Sequence, residues 1–174
     1  HVFPEPIMDV VNTKDELLYY SVRQIPEDLD EMGQRVIHAF GIRGRFFHTE
    51  YFRLTEDKKG LGRKGDLVGL EVNMRPPGGY TPEMMNYAND IDVYQIWADM
   101  VCFDKGRFDP EHRPYCCMYA SRRRGNTYAH THEDIYANFG ASILMYEEMP
   151  EVLSGAMGNF AYMARFPSEE EAMA

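Results

Sequence analysis

Cysteine is scarce in this sequence. The 174-residue chain has three cysteines, and two of them, Cys116 and Cys117, are adjacent. Three cysteines in this arrangement form no disulfide framework, which predicts a reducing, cytoplasmic location. We interpret all three, including Cys102 near a helix end, as structural residues.

Long apolar runs are also missing. The longest apolar tract, ASILMY at residues 141–146, has the length of a strand and falls far short of the roughly 20 residues that span a bilayer. We find no signal-peptide pattern in the sequence. The sequence therefore predicts a protein without a membrane span.

Basic residues are outnumbered by acidic ones. Lys and Arg total 18 against 28 Asp and Glu, giving a formal net charge of −10. Nucleic acids and anionic membranes are bound by basic surfaces, so this charge argues against both as the main partner. The basic run at residues 122–124 precedes Gly125 and Asn126 and is interpreted as a hairpin tip.

Apolar residues make up 44% of the chain, enough for a substantial core. Both helical and strand patterns occur along the chain, and we expect an α+β fold. The clearest helix spans residues 25–41: Pro26 lies in its first turn and Gly41 ends it. Its expected buried stripe consists of Leu29, Met32, Val36 and Phe40.

The remaining elements are predicted from periodicity and from turn residues. Residues 1–12 are expected to be extended, because Pro4 and Pro6 disfavour a helix. Thr131 is expected to cap a helix, with Asp134 three residues later, which we prefer to a metal site at His130 and His132. Strands are expected at residues 17–24, 44–55, 67–75, 141–150 and 158–166. A further strand at residues 115–121 is expected to form a hairpin with a return strand at 127–131. Further helices are expected at 81–104 (one or two), 132–140 and 167–174.

The pattern of predicted helices and strands changes near residue 108. We predict two parts, residues 1–108 and a small β-rich α+β subdomain at residues 109–174. The chain starts at His1 without an initiator Met and ends in a short helical pattern, so we expect a fragment of a longer protein.

The stretch GDLVGLEVNMRPPGGYT carries a polar strand face. Side chains alternate across a strand, so Glu71, Asn73 and Arg75 share one face. The opposite face, with Leu70, Val72 and Met74, is expected to be core. If this strand pairs with FFHTEYF across the loop EDKKGLGRKGD, Glu50 lies close to Glu71.

Two carboxylates that face each other across a sheet are destabilising unless a cation or a proton lies between them. Mg²⁺ takes oxygen ligands, and Asn73 adds a neutral oxygen on the same face. Arg75 adds a forked cation that suits phosphate or carboxylate oxygens. His48 shares the Glu50 face, and we interpret it as a structural residue rather than a substrate contact.

Together, RFFHTEYFRL and GLEVNMRPPGGYT resemble the C-terminal half of the ATP-grasp fold, over roughly residues 27–103. That fold is found in biotin carboxylase, the large subunit of carbamoyl phosphate synthetase, D-alanine–D-alanine ligase and the carboxylate–amine ligases. The resemblance implies a partial ATP-grasp domain, an antiparallel sheet with packed helices. It further implies that Mg²⁺ or Mn²⁺ is held at the ATP phosphates by Glu50, Glu71 and Asn73. By the same resemblance, Arg75 is catalytic and contacts phosphate or acyl phosphate. The implied substrate contacts are Gly78, Gly79, Tyr80 and Thr81.

The phosphate-binding lysines and glycine-rich loop of the superfamily are not visible in this sequence. The family would place them before His1, so we expect this chain alone to bind ATP weakly and to be inactive. The C-terminal part resembles, more loosely, the small β-rich domain that follows the grasp in biotin carboxylase-like enzymes.

The resemblance implies an ATP-dependent ligase that activates a small-molecule carboxylate as an acyl phosphate, which an amine co-substrate then attacks. Three alternatives stay open: a biotin carboxylase-like or carbamoyl phosphate synthetase-like enzyme acting on bicarbonate, a non-catalytic nucleotide-binding module, and a structural or dimerisation unit. A homodimer is compatible with the sequence.

Overall fold

The computed structural model describes residues 1–173. The helices are α1 (Ile7–Thr13), α2 (Glu27–Phe40), α3 (Thr81–Asn89), α4 (Val93–Phe103), α5 (His132–Phe139), α6 (Glu151–Met157) and α7 (Glu169–Met173), and the strands are β1 (Leu18–Tyr20), β2 (His48–Arg53), β3 (Leu67–Asn73), β4 (Cys116–Arg122), β5 (Ile143–Glu148) and β6 (Phe160–Phe166). This mixture of antiparallel sheet and packed helices confirms the α+β fold expected from the sequence.

The described chain divides into two compact units. The first, the sheet unit, contains residues 1–23, 79–91 and the chain from Asp109 onward, and the second, the hairpin unit, contains residues 24–78 and 92–108. One segment boundary coincides with the expected division at residue 108. The N-terminal 23 residues nevertheless group with the chain after Asp109, because β1 pairs with β4 in one sheet.

The sheet unit is built on a four-stranded antiparallel sheet in the order β1-β4-β6-β5. Helix α3 packs on β4 and β6. Met84 of α3, Tyr119 of β4 and Met163 of β6 are fully buried and lie in one hydrophobic cluster. Segments far apart in the sequence therefore share a single core.

Two expectations for the sheet unit are wrong. Residues 1–12 are not all extended, because Pro4 and Pro6 both precede α1, and a proline before a helix removes none of its hydrogen bonds. Residues 127–131 form no return strand. Strand β4 already pairs with β1 on one side and β6 on the other, which leaves no free edge for a hairpin partner.

Helix capping in the sheet unit follows the sequence. Thr131 caps α5 and forms the predicted capping box with Asp134, and Gly140 ends the helix. Helix α7 begins with acidic residues in its first turn, as predicted. Helix α6, between β5 and β6, was not anticipated from the sequence.

The hairpin unit contains α2, α4 and the antiparallel pair β2–β3. Helix α2 ends at Gly41 in a left-handed conformation with φ of 61°, as predicted. Its expected buried stripe is only half-buried, and Phe40 is 63% exposed. Leu70 and Met74, expected in the core, are 55% and 39% exposed, because within this unit a two-stranded sheet covers little apolar surface.

Among the described residues, no helix combines the length and apolar character needed to cross a membrane.

Candidate metal centre

The pairing of β2 with β3 determines which polar side chains meet on the hairpin. Glu50 lies directly opposite Glu71, and His48 lies opposite Asn73. This register confirms the proximity of the two carboxylates that strand alternation predicts. Beyond this point Tyr51 pairs with Gly69, so Leu70 is an extra residue in a β-bulge.

The hairpin is fixed at its far end by contacts within its own unit. Arg53 donates two hydrogen bonds to the Asp28 carboxylate of α2, at 2.6 and 2.9 Å. The loop closes through backbone bonds from Leu54 to Asp66 and from Gly65 to Leu54. The two strands therefore form an anchored platform for the polar face.

His48 and the two glutamates form one compact cluster. The His48 Nε2 atom lies 3.5 Å from Glu71 Oε1 and 3.8 Å from Glu50 Oε1. One ligand atom from each of these residues lies within 4.8 Å of the others, and this is the one such group found among residues 1–173. The imidazole is mostly buried, with 13% of its surface exposed, whereas the Glu50 and Glu71 side chains are 48% and 45% exposed.

The two remaining predicted polar residues lie beside this cluster. The Asn73 amide donates to Glu71 Oε1 at 2.5 Å and contacts His48 Nε2 at 3.0 Å. Arg75 is exposed, and its guanidinium donates to the Pro76 carbonyl at 3.0 Å. The hairpin thus brings together Glu50, Glu71 and Asn73, and Arg75 follows Asn73 two residues later in the chain.

The electrostatics of the cluster reflect two facing carboxylates. Partial burial raises the pKa of Glu50, and the nearby Glu71 carboxylate raises it further, while the positive charge of Arg75 acts in the opposite direction. A like-charge pair of this kind favours either a shared proton or a bound cation.

The four predicted substrate contacts are divided between the units. Gly78 ends a segment of the hairpin unit, whereas Gly79, Tyr80 and Thr81 begin a segment of the sheet unit. Gly79 adopts a left-handed conformation with φ of 60°. Tyr80 precedes α3 and donates a hydrogen bond from its hydroxyl to Glu147 at 2.6 Å, which raises its pKa to about 12.

His48, interpreted from the sequence as a structural residue, shares the Glu50 face as expected and lies close to both glutamates. The signal was the alternation of His48 with Glu50, since residues two apart on a strand share a face. The alternation alone does not show that Glu71 is near His48, because that proximity depends on how β2 pairs with β3.

The cluster suits a divalent cation. Ligands about 2.1 Å from one ion lie about 3.0–3.4 Å apart at angles between octahedral and tetrahedral values. The distances from His48 Nε2 to the two carboxylates, 3.5 and 3.8 Å, are within a small side-chain adjustment of that range. The donor set and its spacing therefore fit such an ion.

Comparison with solved structures gives a match to the crystal structure of phosphoribosylglycinamide synthetase from Anaerococcus prevotii, with a TM-score of 0.58 and 10% sequence identity. The match covers 90% of this chain and 41% of that one, so this chain spans about two fifths of that protein. No protein family model and no curated protein matches the sequence. The matched protein is an ATP-grasp ligase, and the likeness supports the ATP-grasp fold for this chain but not the expected biotin carboxylase-like subdomain.

Proposed function

We propose that this chain provides the metal-binding part of an ATP-dependent ligase that activates a carboxylate for attack by an amine. The observation that carries the proposal is the opposition of Glu50 and Glu71 across β2–β3, with Asn73 on the same face. The ATP-grasp fold supports the same reaction class. A cytoplasmic location stays a prediction.

In this proposal Glu50, Glu71 and Asn73 hold Mg²⁺ or Mn²⁺. The ion supplies positive charge against the ATP phosphates when it is bound. The carboxylates are half-exposed, so a nucleotide can approach them from solvent. The anchored hairpin keeps the donors in place, which suits phosphoryl transfer because that chemistry depends on positioning and charge neutralisation.

Arg75 has a separate role in the proposal. Its guanidinium carries a fixed charge and a fork of N–H donors, which match the oxygens of a phosphate or an acyl phosphate. Among the described residues, the Arg75 guanidinium donates a hydrogen bond to the carbonyl of Pro76, its neighbour in the chain, and forms no ion pair with an acidic group. The charge can therefore turn to a substrate without breaking an ion pair.

Substrate contacts are proposed for Gly78, Gly79, Tyr80 and Thr81, which follow Arg75 in the chain. A glycine has no side chain to prevent close approach of a ligand to the backbone. A Cβ atom added at Gly78 would have no neighbour within 4 Å among the described residues, apart from those next to it in the chain. The Tyr80 hydroxyl is held by Glu147, so we expect its backbone or ring to contact substrate.

The proposal is tested in the longest natural chain that contains these residues. The protein is incubated with ATP, Mg²⁺, hydroxylamine and pooled carboxylates, and hydroxamate and ADP are measured. We expect carboxylate-dependent hydroxamate that disappears in Glu71→Gln, while circular dichroism and the melting temperature stay near those of the parent protein. Glu31→Gln, an exposed change on α2, serves as the matched control and should keep full activity.

Three results would contradict the proposal. Substantial hydroxamate formation by Glu71→Gln would remove Glu71 from the metal site. ADP formation driven by bicarbonate, without hydroxamate, would indicate a biotin carboxylase-like or carbamoyl phosphate synthetase-like enzyme. Bound ATP without turnover would indicate a non-catalytic nucleotide-binding module.

A further inference from the structure

We infer that His48 is a nitrogen ligand of the cation at Glu50 and Glu71, and that it makes the site prefer Mn²⁺ and Co²⁺ over Mg²⁺. This inference rests on the metal site of the proposed function and adds to it a ligand and a metal preference.

The hydrogen bonds of His48 identify which ring nitrogen is free to bind a metal. Its Nδ1 atom lies 3.0 Å from the backbone carbonyl of Arg75. A carbonyl oxygen only accepts hydrogen bonds, so Nδ1 carries the proton and donates it. In the neutral ring Nε2 then has a lone pair, and this is the atom that lies near the carboxylates.

The same arrangement is typical of histidines that bind metals. A ligating imidazole usually donates its second N–H to a carboxylate or a backbone carbonyl, which fixes the tautomer and the orientation of the ring. The Arg75 carbonyl does this for His48. Because the imidazole is 13% exposed, its position is also restrained by packing.

The Asn73 amide is the competitor for Nε2. It lies 3.0 Å from that atom and 2.5 Å from Glu71 Oε1. Both contacts are hydrogen bonds from a neutral amide, so a cation would replace them with stronger charge interactions. An amide turned over presents its oxygen to the same point, which keeps Asn73 available as a ligand.

A nitrogen donor changes which ion the site prefers. Carboxylate and amide oxygens suit Mg²⁺ and Mn²⁺, whereas imidazole favours first-row transition metals in the Irving–Williams order. Mg²⁺ also gives up its water shell reluctantly. A site with two carboxylates and one imidazole is therefore expected to bind Co²⁺ most tightly of the three ions, then Mn²⁺, then Mg²⁺.

Nitrogen ligation is tested first without any substitution. Mn²⁺ is added to the chain, and pulsed electron paramagnetic resonance is used to detect modulation from a directly bound nitrogen. The sample is compared with protein whose histidines carry the ¹⁵N isotope. We expect a nitrogen signal that changes with this labelling, since only a histidine nitrogen bound to the ion responds to it.

Variants then identify the histidine. In His48→Gln we expect the nitrogen signal to disappear and the Co²⁺ association constant to fall at least about tenfold, with a change of less than about threefold for Mg²⁺. Glutamine keeps an N–H donor for the Arg75 carbonyl, which favours retention of the fold. His38→Gln, in the last turn of α2, is the matched control and should keep both the signal and the affinity.

Suppose that Mn²⁺ binds saturably, that this binding is lost in Glu71→Gln, and that no histidine signal is detected. This result would overturn the inference about His48 and would still support a metal site at Glu71. The absence of saturable Mn²⁺ binding would overturn both. Because these readouts require no turnover, a histidine signal with no hydroxamate would contradict the proposed ligase activity and support the metal ligation by His48.

Discussion

At the scale of single residues, the candidate centre is a site where local stability and ligand binding oppose each other. Two carboxylates on paired positions of an exposed hairpin repel each other, and burial together with this repulsion raises the pKa of Glu50. A surface selected only for stability would carry a neutral or basic partner at one of these positions. In the proposed function, a cation bound between the two carboxylates would offset this repulsion.

Replacing Glu50 by Gln should therefore stabilise the metal-free protein. The expected gain in the free energy of unfolding is about 0.2–1 kcal/mol, because the like-charge cross-strand pair disappears. The same change should remove the increase in melting temperature that Mn²⁺ produces. Both quantities are measured by thermal and urea unfolding, in a chelator and in Mn²⁺.

Glu31→Gln is the control for this pair of measurements, with an expected change within about 0.5 kcal/mol and a retained response to Mn²⁺. If Glu50→Gln instead destabilised the chelated protein, the Glu50 carboxylate would have to form a stabilising contact, and the repulsion argument would fail.

At the scale of elements, the junction between α6 and β6 shows how one backbone position holds two strands in place. Gly158 is buried, has φ of 81° and lies against β4. An added Cβ atom there would lie 2.4 Å from Ser121 Oγ. Ser121 Oγ in turn accepts a hydrogen bond from the backbone N–H of Leu17, so the junction also supports the segment that leads into β1.

Gly158→Ala should destabilise the protein by at least about 2 kcal/mol, since it combines a left-handed backbone with a steric overlap. Gly155→Ala, three residues earlier in α6, is the matched control: nothing lies within 4 Å of its added Cβ, and a stabilisation of up to about 1 kcal/mol is expected. Urea unfolding measures the change in the free energy of unfolding for each variant. Equal changes in the two variants would contradict the steric crowding at Gly158.

At the scale of the whole molecule, the sheet unit joins three separate stretches of sequence around one core. Met84 comes from the middle stretch and is fully buried among side chains of the other two. The expected two-part division at residue 108 therefore does not describe this unit, because its core needs the N-terminal strand and α3 as well.

Met84→Ala should cost about 2–5 kcal/mol, the usual range for removing a large buried side chain. It should also speed hydrogen exchange at the amides of β4 and β6, because all three stretches are expected to unfold together. Met8→Ala, at a residue that is 66% exposed, should change stability by less than about 0.5 kcal/mol. Faster hydrogen exchange confined to the amides of α3 would show that the three stretches of the sheet unit do not unfold cooperatively.

Elements whose signals are local could be predicted from the sequence. Gly41 caps the end of α2 and Thr131 caps the start of α5, and both were readable because capping depends on residues three or four apart. The opposition of Glu50 and Glu71 was also readable, since the two strands are consecutive in the chain and side chains alternate between the faces of each strand.

Features that depend on distant partners could not be predicted locally and follow from the folded structure. Strand β4 pairs with β1, about a hundred residues earlier, and local patterns carry no information on such a partner. The exposure of Leu70 and Phe40 depends on what covers them, and an apolar residue in a periodic pattern predicts only that it suits burial. The tautomer of His48 likewise follows from the position of the Arg75 carbonyl, which the backbone turn after β3 sets.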